Sequence, residues 1–600
     1  MTDEGVLERS PEEHLEHPMT TRTPCDRFVL AGRHRWLPLM LVTSLAMGWT
    51  AMSGTAHHDG VTYYVDARRG DDERDGRTPA TRWRTLGRAN AAVHPGDTVL
   101  IFGGVYHQTL RPGQSGTAAR RIIYRAVPGQ PVIIERTEWL IDLNERSYIT
   151  VEGIIFRHPL FGWGEIRNGH HNEIIGNRFI ASGRQSRTAY AGLLVSDGAS
   201  DNRIIGNVFR DWGDVRTEWG DALRVSRGAH HTLIEGNTFL NAGHALVDID
   251  TSFTIVRRNY FQNAWQKDLD IVWQVHPRWA PGEQFIARRN IIEYNLIVGA
   301  HRSADGKKGG SGMQVAAAET IVRRNVFLVN EESGLIIDGW NEAPHVYGNR
   351  VYHNTFVGNG STGIMITNWG IGRVDLDDNV IKNNVFYGNG WRDRERSIAY
   401  RVRLRRTKDV QCLPAALVIA GNCWDADPLA DLEGMIEAFL GDPMRFWNVL
   451  ETNRRVMPRL VDPAVGDVRL AEECGCIDIG VPLTRTRSAG SGNVVPVVDA
   501  SYFTDGAGLI PGDRVKIGAQ PAIAVLHIDW AEQTLTLARP IRWHAGDPVY
   551  LDDFRGRGPD AGVVEFGDAL WPVPWPHDSG EHRPQRGMKS DSGGRAPDSR

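Results

Sequence analysis

Between residues 173 and 386, apolar and polar side chains alternate over short stretches, as in Ile204, Ile205 and Phe209 or Ile321, Val322 and Phe327, with no sustained helical spacing. Such stretches predict short strands, and they recur. NEIIGNRF ends at Phe179, NRIIGNVF at Phe209 and HTLIEGNTF at Phe239, and looser copies end at Phe261, Ile297, Phe327, Phe356 and Phe386. Each copy carries an asparagine, in order Asn177, Asn207, Asn237, Asn259, Asn295, Asn325, Asn354 and Asn384. A second apolar stretch follows in most copies, at 192–195, 222–225, 312–315, 334–337 and 363–366. Repeats of this length are the mark of a solenoid, in which each strand pairs with its counterpart one coil along, about 4.8 Å away. The asparagines are then expected to form an internal ladder at a bend, satisfying backbone groups that water cannot reach.

Alternation fixes which residues face outward. With Leu193 and Val195 inward, the matching pairs are Leu223 and Val225, Val247 and Ile249, Leu269 and Ile271, Met313 and Val315. The residues between them form an outward row: Leu194, Arg224, Asp248, Asp270, Gln314, Ile336 and Met365. Flanking rows add Asp250 and Asp268, so four carboxylates and one arginine converge on neighbouring coils. Asp248 and Asp270 are expected on adjacent rungs, roughly 5 Å apart, where like charges destabilise a sheet. A hard cation, a shared proton or Arg224 would offset that repulsion; splayed loops that leave the carboxylates solvated would remove it.

The flanks read differently. Residues 1–56 combine a polar tail, Arg33-His34-Arg35, an apolar run from Trp36 to Met52 and the small residues 53–56, which is the layout of an export signal or an N-terminal anchor. A secreted, periplasmic or cell-surface location is expected. Trp83, Leu86, Ala89 and Val93 predict a short amphipathic helix capping a solenoid that spans 57–485. Residues 391–457 read as an insertion, with an apparent helix around Leu429–Leu440. Residues 491–570 read as a small β-domain and 575–600 as a disordered tail. The formal charge of −5 gives no basic field for nucleic acid, and five cysteines are too few for a disulfide scaffold or a zinc motif. One disulfide, Cys412–Cys423, is expected in an oxidising compartment, with Cys474 and Cys476 as buried thiols.

Tyr63-Tyr64-Val65-Asp66, Gly70-Asp71-Asp72, Asp75 to Ala80, Pro95 to Val99 and Gly103 to Tyr106, ahead of the repeats, make the chain resemble the right-handed parallel β-helix proteins of the pectate-lyase-like superfamily. The resemblance implies an all-β right-handed parallel β-helix with an N-terminal helical cap and a small C-terminal β-domain. It also implies an exported polysaccharide lyase cleaving an acidic, uronate-containing polysaccharide by β-elimination. Gln266 to Ile271 and Gly310 to Val315 resemble the calcium-site and base-bearing coils of such lyases. The implied metal ligands are Asp248, Asp250, Asp268 and Asp270, with Ca2+ as cofactor. The position matching the base is Gln314, which cannot abstract a proton. Lys267, His244 and Arg224 remain as catalytic candidates, with Lys307 and Lys308 near the same groove; Gln314, Trp219 and Trp273 are candidate substrate contacts. Of the many tryptophans, Trp163, Trp212, Trp265 and Trp279 are also expected in loops around the groove. Two other readings use the same residues: a glycoside hydrolase with paired carboxylates, and a non-catalytic carbohydrate-binding β-helix. The implied partner is the acidic polysaccharide, and the chain is expected to be a monomer.

Overall fold

In the computed structural model, the described residues are 60–569, apart from 182–189, 214–218, 273, 276–283, 286, 303–305, 307–308, 340–345, 368–375, 393–397, 402–416, 426–451 and 464–465. The expected signal or anchor, the terminal tail, the helix around Leu429–Leu440, Lys307, Lys308, Trp273, Trp279 and Cys412 lie outside them. No described helix is long and apolar enough to cross a membrane.

The repeats stack as coils with three parallel sheets. The first runs from Thr62–Val65 to Leu417–Ala420 and the second from Gly104–Tyr106 to Arg454–Arg455, each with 13 strands; the third runs from Trp139–Asp142 to Ile398–Arg401 with 10. From Trp139 to Arg401, successive coils give a strand to each sheet, and the first and last coils contribute only to the first two. The expected cap is the helix Leu86–Ala92, whose Thr85 hydroxyl accepts the Arg88 N–H at 3.2 Å while Leu86 and Ala89 are buried against the first coil.

The asparagine ladder forms as expected. Asn207 Oδ1 accepts the backbone N–H of Asn177 at 2.9 Å and its Nδ2–H at 3.1 Å, and the relation repeats from coil to coil up to Asn453. These buried amides meet both needs of a bend closed to water. Beside them Phe156, Phe179, Phe209, Phe239 and Phe261 stack with ring centroids 4.6–5.1 Å apart. A second ladder, Asn330–Asn359–Asn389, supports the corner that leads into the third sheet, where the repeat alignment gave no sign of it.

Three expectations are corrected. Residues 391–457 are not simply an insertion: Ile398–Arg401, Leu417–Ala420, Cys423–Trp424 and Arg454–Arg455 continue the three sheets in parallel register. Leu460–Asp462 and Asp467–Leu470, within the span 57–485 expected to be solenoid, form an antiparallel hairpin. The disulfide joins Cys423 to Cys476, which leaves Cys474 as the free, buried thiol among the described residues. Spacing along the chain favoured Cys412, but only the fold brings a residue 53 positions away within bonding distance.

The small β-domain is a six-stranded antiparallel sheet whose strands run from Thr484–Arg485 to Pro548–Leu551. It covers the outer face of the first sheet: Ile321, Tyr352 and Val380 share a buried cluster with Val515, Ile517 and Leu535. The third sheet is left for other uses.

Candidate functional site

The register of the third sheet places the outward row as expected. Leu194 pairs with Arg224, Arg224 with Asp248, Asp248 with Asp270, Asp270 with Gln314, Gln314 with Ile336 and Ile336 with Met365. The flanking pairs, Leu223 and Val225 through Met313 and Val315, are fully buried in the core. The row is not an open acidic groove, however. Asp248, Asp270 and Gln314 are 2–3% exposed, so the carboxylates cannot be treated as solvated.

Two residues that the repeat alignment did not single out organise the cluster, Asp221 and Tyr190. Gly220 sits at a corner with φ of +110°, where a Cβ would lie 2.9 Å from the Gly213 Cα; only glycine makes this turn. The turn aims Asp221 outward on one rung, and the Gly220 carbonyl accepts the His244 backbone N–H at 2.9 Å on the next. The Asp221 carboxylate, fully buried, then lies 2.8 Å from His244 Nδ1. A carboxylate at that distance fixes the proton on Nδ1 and leaves the Nε2 lone pair as the basic edge of the ring. Tyr190 precedes Ala191, and its carbonyl accepts the Asp221 N–H at 2.9 Å; its ring lies 6.1 Å from that of His244 and 5.2 Å from the Arg224 guanidinium.

Arg224 bridges Asp221 and Asp248 at 3.3 Å each and Asp250 at 2.9 Å. Lys267 lies 3.0 Å from Asp270. Among the described residues, four buried carboxylates therefore share two cations. Burial drives the Asp248 carboxyl well above the ordinary carboxylate range; Arg224 pulls it down, but the charges of Asp221, Asp270 and Asp250 reinforce the rise. Tyr190 is pushed up in the same way, by burial and by Asp221, Asp248 and Asp270, and keeps its proton. Among the described residues, Asp248 Oδ1 and Asp270 Oδ1 are buried without a hydrogen-bond partner.

The remaining expectations sort by this geometry. Asp268 is not in the outer cluster. It is in register with Leu246 and Ala222, both core residues, is 0% exposed and accepts the Ala264 N–H at 2.9 Å. The strict alternation used to place it fails at the strand entrance, where two successive residues, such as Ala222 and Leu223, face inward. Gln314 sits on the row beside Asp270, with its Nε2 3.5 Å from Asp338. Trp219 is half exposed and meets the Tyr190 ring edge-on at 4.3 Å. Trp163 and Trp212, expected in loops, are core residues with rings 4.6 Å apart, and Trp265 lies 6.2 Å from the His301 ring.

The donors can take a metal in two ways. Asp221, His244 and Asp248 present ligand atoms within 4.8 Å of one another, close enough to hold a metal ion, although Arg224 already holds both of the carboxylates. Asp248 Oδ1 and Asp270 Oδ1, with the Gln314 amide on the next rung, form an all-oxygen set that suits a hard cation.

A family model described as the right handed beta helix region matches residues 221–391, the coils that carry this cluster. The chain is a right-handed parallel β-helix. Over 132 residues, this β-helix is 27% identical to an uncharacterized protein, YwoF, of Bacillus subtilis, a match covering 20% of the chain and 28% of that relative. The chain thus spans little more than a quarter of the curated relative it matches. Among solved structures, pectate lyase Pel9A aligns at 13% identity over 84% of this chain and 96% of its own, with a TM-score of 0.37. A GH136 lacto-N-biosidase from Eubacterium ramulus aligns at 14% identity over 57% and 67%, with a TM-score of 0.38. An alginate lyase from Paenibacillus aligns at 14% over 53% and 97%, with a TM-score of 0.32.

Proposed function

We propose that this β-helix is an exported carbohydrate-active enzyme that cleaves an acidic polysaccharide by β-elimination at the cluster around His244. The observation that carries the reading is the Asp221–His244 pair, which supplies the base that Gln314 cannot. Elimination from a uronate needs a base for the C5 proton, a proton donor for the leaving oxygen and a positive charge on the carboxylate. His244 Nε2 takes the proton, and Asp221 stabilises the imidazolium that results. Tyr190, held protonated on the same side of the site, donates to the leaving oxygen. Arg224 and Lys267 are committed to protein carboxylates, so they balance the site rather than the substrate. Asp248 and Asp270, with Gln314, would hold a Ca2+ ion, whose chemistry is to neutralise the substrate carboxylate and acidify the adjacent C–H.

A second reading rests on one observation, the pairing on adjacent rungs of a carboxyl that burial makes resist ionisation, Asp248, with a second carboxyl, Asp270, that lies 3.0 Å from the Lys267 ammonium. That is the acid and nucleophile pattern of a retaining glycoside hydrolase. Incubation with pectate, alginate and glycosaminoglycans, with and without chelator, separates the two. Elimination produces an ultraviolet-absorbing unsaturated uronate and is lost with the chelator. Reducing ends that appear without that absorbance, and survive the chelator, establish hydrolysis instead. Binding without cleavage of any of the three sinks both.

A further inference from the structure

On the N-terminal side of His244, the entrance edge of the third sheet carries aromatic residues on successive coils. Phe161, Tyr190, Gly220 and His244 follow one another in register, so Phe161 stands three rungs, about 14 Å, from the base. Its ring meets Trp139 edge-on at 5.1 Å, just as Trp219 meets Tyr190 at 4.3 Å. In each pair one ring is anchored and the other is presented. Phe161 is 39% exposed, Trp219 49% and neighbouring Leu160 63%. The anchoring is built into the backbone: the Trp139 ring lies across Gly162, where a Cβ would meet it at 2.0 Å. Next to this apolar edge are the exposed guanidinium groups of Arg111, paired with Asp142, and Arg167, paired with Glu165.

Exposed aromatic and aliphatic residues lined up on one edge call for an occupant. A rung spacing close to the length of one pyranose ring and exposed aromatic rings match a glycan chain lying along the helix axis. We infer that Phe161 with Trp139, and Trp219 with Tyr190, are two sugar-binding platforms that hold the substrate chain on the N-terminal side of the bond to be cleaved. The proposal rests on the reading of the His244 cluster as a carbohydrate site, and adds the direction in which the glycan runs.

Affinity is measured with size ladders of oligogalacturonate, alginate oligosaccharide and neutral cello-oligosaccharide, using the full chain and, to prevent turnover, a His244→Ala background. Longer acidic oligosaccharides should bind more tightly than dimers. Phe161→Ala should erase that difference, lowering affinity for the longer chains roughly two- to tenfold, while Phe161→Tyr retains it. Val105→Ala, an exposed change on the second sheet, should leave the ladder unchanged. Because Phe161 is exposed, its thermal midpoint serves as the check on folding. Binding of no ladder, or equal loss for dimers and long chains in Phe161→Ala, overturns the platforms even if the enzyme cleaves. Length-dependent binding that needs Phe161 in a protein that cleaves nothing keeps the platforms and rejects the catalytic reading. A concentration-dependent dimer in size-exclusion chromatography that Phe161→Ala abolishes assigns the edge to a second copy and overturns the glycan proposal.

Discussion

Two outward faces of the same solenoid bury charge, and they do so to opposite effect. On the first sheet, Arg323 lies 2.7 Å from Glu293 and makes a bidentate pair with Asp513 of the C-terminal domain at 2.6 and 2.8 Å, with the Tyr352 hydroxyl at 3.0 Å. Burial pushes Glu293 up, but Arg323 and Arg257 more than offset it, and the carboxylate is held below its ordinary range. Glu293 stays charged and fully paired. On the third sheet, Asp248 is buried as deeply, yet among the described residues Asp221, Asp250 and Asp270 around it outnumber Arg224 and Lys267, and one oxygen each of Asp248 and Asp270 lacks a hydrogen-bond partner. The first arrangement closes on itself and fastens a domain. The second is left wanting a proton or a cation, which is the condition that perturbs an acid toward chemistry.

The contrast can be broken from either side. The largest effect should follow His244→Gln, which removes the base while preserving size: cleavage should fall by about 10²- to 10⁴-fold with the thermal midpoint unchanged. Comparable activity in that variant would move the base elsewhere. On the paired face, Arg323→Met strands Glu293 and Asp513, and should cost about 3–5 kcal/mol in chemical denaturation. Activity per folded molecule should persist, because Arg323 does not reach the third-sheet cluster.

Smaller effects come from buried groups outside both clusters. Burial raises the Asp268 carboxyl well above its ordinary range, with the Ala264 N–H only partly opposing it. The folded chain therefore holds a proton there that the unfolded chain releases above about pH 4. Its contribution is intact below that pH and is lost progressively as pH rises toward the folded value. Asp268→Asn should stabilise the protein by about 1.4 kcal/mol for each pKa unit of the shift it removes, an advantage that grows from pH 4 to 7 and is absent at pH 3. His353 shows the reverse sign. Burial, reinforced by Arg324, lowers its imidazole to about 3. The unfolded chain takes up a proton below about pH 6.5 that the folded chain refuses, so stability is lost as pH falls from 6.5 toward 3. His353→Gln should flatten that acid limb in a series of melting curves.

Much of this was written in the chain. The period of the Asn and Phe positions predicted the coils, because stacking repeats puts identical side chains in contact and only identical needs can be met that way. Strict alternation placed Arg224, Asp248, Asp270 and Gln314 on one row, and the register agrees. The same rule misplaced Asp268, since it holds within a strand and not at the corner where one begins.

What the sequence determined, then, was whatever repeats: strand, coil, inward pair and outward row, each set by local period. What only the tertiary structure decided was whatever breaks the repeat. Asp221 is in register with Ala191 and Ala245 and has no carboxylate counterpart in neighbouring coils, and His244 gained its partner through a glycine corner one rung away. Cys476 reached Cys423, and Asp513 reached Arg323, across long stretches of chain. Such contacts follow from where a finished solenoid brings its corners, and no period along the chain encodes that.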